Sequence, residues 1–191
     1  MTDGKTRVVR IYDAPLLPKA SGWQCPDRDI SHLAGRSESE PVVNEPFALP
    51  AFLDAQFAAL RGYWNSLKRG NASNPFADDL SLAALGKLAD SIVLIQVFEK
   101  PQRFRFEMAA ANVAQLYRGE LEGRFADELD IRAPLQYFAA QCSATAESGA
   151  PTFYRCEQRA DSAEYKRLML PFWGDGHVST ILVAFETKQN G

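Results

Sequence analysis

SIVLIQVFE, residues 91–99, is apolar at both parities: Ile92, Leu94 and Phe98 share one, and Val93, Ile95 and Val97 the other. A short, β-branched run of this kind is a strand covered on both faces, because neither set of side chains is suited to water. Pro101 closes it. RFRFEM (103–108) then alternates, with Phe104, Phe106 and Met108 on one face and Arg105 and Glu107 on the other, which predicts the return strand of a hairpin. HVSTILVAFE (177–186) repeats the two-faced pattern, setting Ile181, Val183 and Phe185 against Val178, Leu182 and Ala184. Both faces of the sheet therefore need a cover.

Downstream of the hairpin, ANVAQLYRG (111–119) predicts one short helix ending at Gly119. Residues 132–148 predict a longer one, with Leu135, Phe138, Ala139, Cys142 and Ala146 on its apolar face and Gly149 and Pro151 beyond its end. Three strands follow: TFYRCEQR (152–159), EYKRLMLPFW (164–173) and 177–186. Gly174-Asp175-Gly176 joins the last two, its Asp-Gly pair supplying the positive φ angles of a tight turn.

Upstream, Leu53, Phe57, Leu60, Trp64 and Leu67 recur at alternate spacings of four and three, one apolar face of a helix over 51–68 that Gly70 ends. A second, shorter helix over 79–89 is predicted from Leu80, Leu82, Leu85 and Leu88, with Gly86 weakening it. Residues 1–50 hold six of the eleven prolines and polar stretches such as GRSESEP, so they form an irregular arm in which RVVRIYD could add one edge strand. The chain thus divides into the arm, 1–50, and one α+β domain, 51–188.

Hydrophobic residues make up 46% of the 191 and charged residues 24%, a profile that can bury a core without a disulfide or structural metal. The net charge of −3 and the absence of a Lys/Arg run argue against a nucleic-acid partner. MTDGKTRVVR lacks the apolar region of a signal peptide, and no apolar stretch approaches a membrane span, so a cytoplasmic location without membrane insertion is expected. Cys25, Cys142 and Cys156 are too widely spaced for a disulfide framework or a zinc site.

Two strands, a block of short helices and a three-stranded meander is the order of a PAS domain, and particular residues extend the likeness. YWNSLKRG (63–70), RFRFEMAAANVAQLYRGELEGR (103–124) and RLMLPFWGDGHVSTIL (167–182) resemble the short alphaproteobacterial type of PAS domain over about 120 residues. Tyr63 and Trp64 match its Tyr-Trp helix, Leu121, Gly123 and Arg124 its Leu-x-Gly-Arg closure, and Leu170, Pro171, Asp175 and Gly176 its Leu-Pro strand with the Asp-Gly turn. Ala110-Ala111 stands where that family usually has Gly-Thr, Arg118 where it has Gly, and Gln96 where an acid often ends the first strand.

The resemblance implies a five-stranded antiparallel sheet with helices on one face, an N-terminal amphipathic helix, and a first strand lying between the second and the last. It also implies an interior able to hold a small molecule and an outer face for partners: a sensory or protein-interaction module acting in trans, with no catalysis of its own. Its ligand would sit between the sheet and the helices of 112–148, touching Phe104, Phe106, Met108, Tyr117, Phe125 and Leu168 or Leu170. The missing Gly-Thr hydroxyl favours a small apolar ligand. The same aromatic side chains equally describe a filled core. The stripe Leu53, Phe57, Leu60, Trp64 and Leu67 would cover the second face from this chain or from a partner chain, and an exposed stripe would make it a homodimer interface or a site for a signalling partner.

Candidates for chemistry are sparse. His177 follows a tight turn, and His32 beside Cys25 lacks further ligands, so no metal site is expected. Cys142 falls on an apolar helix face, Cys156 lies mid-strand, and Glu107 beside Arg105 reads as half of a surface ion pair. There is no P-loop, Gly-x-Ser-x-Gly or dinucleotide fingerprint, no helical haem histidine and no flavin-linked cysteine setting, so no cofactor is expected. The alternative is a cone-shaped α+β, NTF2-like enzyme or binding protein, which would need a His–Asp pair in a polar cavity.

Overall fold

The computed structural model describes residues 46–157 and 164–187. RVVRIYD, Cys25 and His32 lie outside them.

β1 (Ile92–Glu99) runs between β2 (Gln102–Ala109) and β5 (His177–Thr187), and the sheet continues through β4 (Tyr165–Gly174) to β3 (Thr152–Cys156). All four neighbouring pairs are antiparallel. The order β2-β1-β5-β4-β3 places the first strand between the second and the last, as expected. Two of the three interior strands, β1 and β5, are those that the sequence marks as apolar at both parities.

Two layers cover the sheet. On one face Val93, Ile95, Val97, Phe104, Phe106, Ile181, Val183 and Phe185 pack against α2 (Ala111–Tyr117), α3 (Phe138–Ser148) and the chain between them. On the other, Ile92, Leu168, Leu170, Phe172, Leu182 and Ala184 pack against α1 (Ala55–Ser66) and Leu85. Phe57, Leu60 and Trp64 are buried there, the Trp64 indole N–H donating to the Pro171 carbonyl at 2.7 Å. Leu53 and Leu67 join the same cluster, partly buried. The helical stripe therefore meets its own sheet, so the second face is covered without another chain, and the premise for a dimer interface along it falls away.

Two β-bulges explain where strict alternation fails. In the β1–β2 ladder Leu94 opposes Met108 and Ile95 opposes Phe106, leaving Glu107 as the extra residue. Its insertion turns Met108 to the α1 face while Phe104 and Phe106 face the helices. Between β4 and β5, Trp173 opposes Val178 but Phe172 opposes Thr180, so Ser179 is extra and Val178 joins Ile181 instead of Leu182.

The helices are shorter than the periodicity suggests. α3 begins at Phe138 and not at 132, because Pro134 cannot donate to a helical ladder and Tyr137 takes the left-handed region at φ 54°. The 79–89 segment is two short 3-10 pieces, Ala77–Asp79 and Leu82–Ser91, the latter kinked at Gly86 with φ 53°. Tyr63 clamps this segment to α1: its hydroxyl accepts from the Ser81 amide at 2.8 Å and donates to the Ser81 carbonyl at 3.1 Å.

Both exposed edges of the sheet are partly occupied. Gly123 donates to the Phe106 carbonyl at 2.7 Å and the Phe106 amide to the Arg124 carbonyl at 2.9 Å, so the Leu-x-Gly-Arg stretch lies along β2. The Phe153 amide donates to the Phe47 carbonyl at 3.0 Å on the β3 edge.

Trp64→Ala removes a fully buried ring and orphans the Pro171 carbonyl, and a loss of about 3–5 kcal/mol is expected in urea unfolding. Replacing Leu60 and Trp64 by polar residues should unfold the chain and not release a soluble monomer. A change below about 1 kcal/mol for Trp64→Ala would contradict the packing of α1 on the sheet.

Candidate functional site

Arg167 is an anomaly in its own strand. It lies in EYKRLMLPFW between Lys166 and Leu168, opposite Tyr154 on β3 and Phe185 on β5, and is wholly buried. Desolvating a guanidinium costs several kcal/mol, so its surroundings must answer the charge. They do so with neutral groups. Nε donates to Gln141 Oε1 at 2.7 Å, Nη1 to the Pro134 carbonyl at 2.8 Å and Nη2 to the Gln136 carbonyl at 3.0 Å. The rings of Phe138 and Tyr154 lie 4.9 and 5.1 Å from the guanidinium carbon, adding cation–π attraction. No carboxylate among the described residues pairs with it. Burial pushes its pKa down to about 10, which leaves it charged at neutral pH.

These bonds fix the loop that precedes α3. The Pro134 and Gln136 carbonyls are drawn onto β4, and Gln141 passes the network on by donating to Thr152 Oγ1 at 3.1 Å, which lies 2.7 Å from Thr145 Oγ1. The Tyr165 hydroxyl donates to Gln136 Oε1, and burial pushes that phenol upward from its ordinary value.

Beside this wall opens a cleft of about 790 Å³ between the 126–137 loop, the first turn of α3 and the edge strand β3. Leu129, Ile131, Leu135 and Phe138 give it an apolar lining; Tyr137 and Tyr154 face each other with ring centroids 5.8 Å apart, and Cys156 lies further along β3. Ile131 is 84% exposed and Tyr137 65%, an unusual placement for large apolar side chains. Asp127 and Asp130 stand at the mouth, the former bound to Arg103 at 3.0 Å, the latter 3.9 Å from Arg132. The Arg103 guanidinium holds the Asp127 carboxyl below its usual range.

The residues expected to form the ligand site do not come together. Phe104, Phe106 and Tyr117 share the helix-side core, but Met108, Leu168 and Leu170 belong to the α1 face. For Met108 the cause is the Glu107 bulge. For the two leucines it is register: Met169 pairs with Val183 of the helix-side face, which turns Leu168 and Leu170 away. Phe125 lies outside β2, bridged to Arg105, with Phe98 5.6 Å away and the Arg103 guanidinium stacked at 3.7 Å. The helix-side interior itself is filled, for Phe138 stacks between Phe106 at 5.1 Å and Phe185 at 6.4 Å.

Other candidates are placed as follows. Cys142 is buried on α3 with Met169 Sδ 3.9 Å away, and burial pushes its thiol up, away from reactivity. Glu107 is the exposed bulge residue, and Arg105 donates to Gln96 at 2.6 Å instead of pairing with it. His177 is half-buried at the hairpin, its Nδ1 3.3 Å from the Asp175 carbonyl. Among the described residues no group of His, Cys, Asp and Glu could hold a metal ion, and no helix is long and apolar enough to cross a membrane.

Two features of the sequence bear on the cleft, although neither is read that way from the sequence: Pro134 inside the expected helix 132–148, and Arg167 within the strand 164–173. Comparison with protein-family models, with curated proteins and with solved structures finds no match to this chain.

Arg167→Met strands the Pro134 and Gln136 carbonyls and the Gln141 amide. Because bonds from a charged donor contribute about 1.5–3 kcal/mol each, partly offset by the relieved desolvation, a loss of about 2–4 kcal/mol is expected in chemical denaturation. Arg167→Lys should recover little, since an ammonium cannot reproduce the planar fork. Full stability in Arg167→Lys would contradict this role.

Proposed function

We propose that this chain is a PAS-like module that senses a small molecule and signals by contact with a partner protein in the cytoplasm. The reading is supported by the strand order β2-β1-β5-β4-β3 with a helical layer on one face, and by the resemblance of the 63–70, 103–124 and 167–182 stretches to that family. The observation that carries it is the cleft beside α3. Its volume of about 790 Å³ suits a ligand of ordinary small-molecule size, and it combines an apolar lining with a few polar groups. Since the interior behind Phe106 is packed, the ligand belongs in this cleft and not between the sheet and α2.

No catalytic role is assigned. An NTF2-like site would need a His–Asp pair in a polar cavity, and among the described residues the sole histidine is His177, at the hairpin. One further reading has its own observation: the Phe106–Phe138–Phe185 stack favours a ligand-free adaptor with a filled core.

Ala140 is exposed and lines the cleft, so Ala140→Trp blocks it without touching the core. Thermal melts of both forms against a small-molecule library separate the readings. Compounds that raise the wild-type melting temperature and leave Ala140→Trp unmoved are expected. A library without effect on either form, together with mass spectrometry of the denatured wild-type protein showing no released molecule, would leave the adaptor.

A further inference from the structure

Among the described residues Arg167 is a charge without a counter-charge. Each Nη uses one of its two hydrogens on a backbone carbonyl, and the second has no acceptor among the described residues. Networks around buried arginines ordinarily include a carboxylate, because neutral dipoles leave the net charge in place. Here the nearest groups are two carbonyls, one amide and three rings.

The position of this charge relative to the cleft gives it a use. Gln136, Phe138 and Tyr154 line the cleft and also touch the guanidinium, so the cation lies directly behind one wall. Three carboxylates, Asp127, Asp130 and Glu157, also line the cleft and oppose it. Their settings differ. The Asp127 side chain is 59% exposed and that of Asp130 83%, each with an arginine beside it, and Glu157 is exposed as well, so water and salt screen all three. Arg155, the one cation among the lining residues, is engaged by Glu164 at 2.8 Å. The Arg167 charge acts through a desolvated wall and is screened far less. The first turn of α3 adds to it: Ala139 and Ala140 line the cleft, the N-cap Tyr137 makes no side-chain capping bond, and no acidic residue occupies that turn.

Resting on the small-molecule reading above, we infer that the cleft takes a small organic acid. Its apolar body lies against Leu129, Ile131 and Tyr137, and its carboxylate is seated against the Gln136–Ala140 wall in front of Arg167. The anion supplies the counter-charge that the described residues do not, and the two exposed apolar side chains at the mouth become its cover. This replaces the uncharged apolar ligand suggested by the Ala110-Ala111 departure.

The test uses benzoate, phenylacetate and octanoate, each beside its neutral amide, titrated by calorimetry and ligand-observed NMR at low and moderate salt. At least one acid is expected to bind wild type ten-fold or more tighter than its amide, and to lose ten-fold or more in Ala140→Trp at an unchanged melting temperature. Moderate salt should weaken it only slightly, as befits a buried charge. Arg167→Gln, if it folds, should erase the difference between acid and amide; if it does not fold, the acid-to-amide ratio and Ala140→Trp still decide. Equal binding of acids and amides would overturn the charge inference and leave a neutral-ligand cleft. If none of the three acids binds while other compounds shift the wild-type melt, the organic-acid inference falls alone. Acid binding unaffected by Ala140→Trp would place the site elsewhere and also refute it.

Discussion

β1 and β5 sit side by side at the centre of the sheet with apolar side chains on both faces, and this constraint organises the rest of the chain. A strand with one wet face could end its fold at a single layer of helices. These two cannot, since Ile92, Leu182 and Ala184 are as fully buried as Val93, Ile181 and Val183. One layer comes from the helices that follow the hairpin, the other from the helix that precedes it. Trp64 locks the second layer by joining α1 to the Pro171 carbonyl, across more than a hundred residues of sequence.

The helix-side layer has a different fastening. α3 and its preceding loop are tied to β4 by a buried guanidinium and not by side-chain packing alone. Apolar contacts are tolerant of small slides, whereas a planar fork bonded to two carbonyls and an amide fixes position. That rigidity holds open the space between loop, helix start and edge strand. Stability and the candidate site therefore depend on the same residue.

Much of the architecture was legible in the residues. All five strands, the hairpin turn at Asp175-Gly176 and the inward stripe of α1 follow from period-2 and period-3.6 patterns, since burial on a defined face is what those patterns record. Side-chain direction beyond a bulge was not. Glu107 and Ser179 look like ordinary members of an alternating run, and nothing local marks either as an extra residue, so Met108 and Val178 were assigned to the wrong face. Leu168 and Leu170 were misplaced because an apolar strand without polar alternation does not reveal its register. The cleft was the least legible feature, for its lining comes from a loop of which only the part from 132 onward was read as helix, and from an edge strand, brought together only by tertiary structure.

Native-state hydrogen exchange across α1, β1 and β5 tests most directly whether this chain covers both faces of its own sheet. Amides in the middle of α1, around Leu60 and Trp64, are expected to exchange with free energies close to those of the central strands, because the layer and the sheet open together. Fast exchange throughout α1 beside well-protected β1 and β5 would contradict the account and assign the second face to a partner.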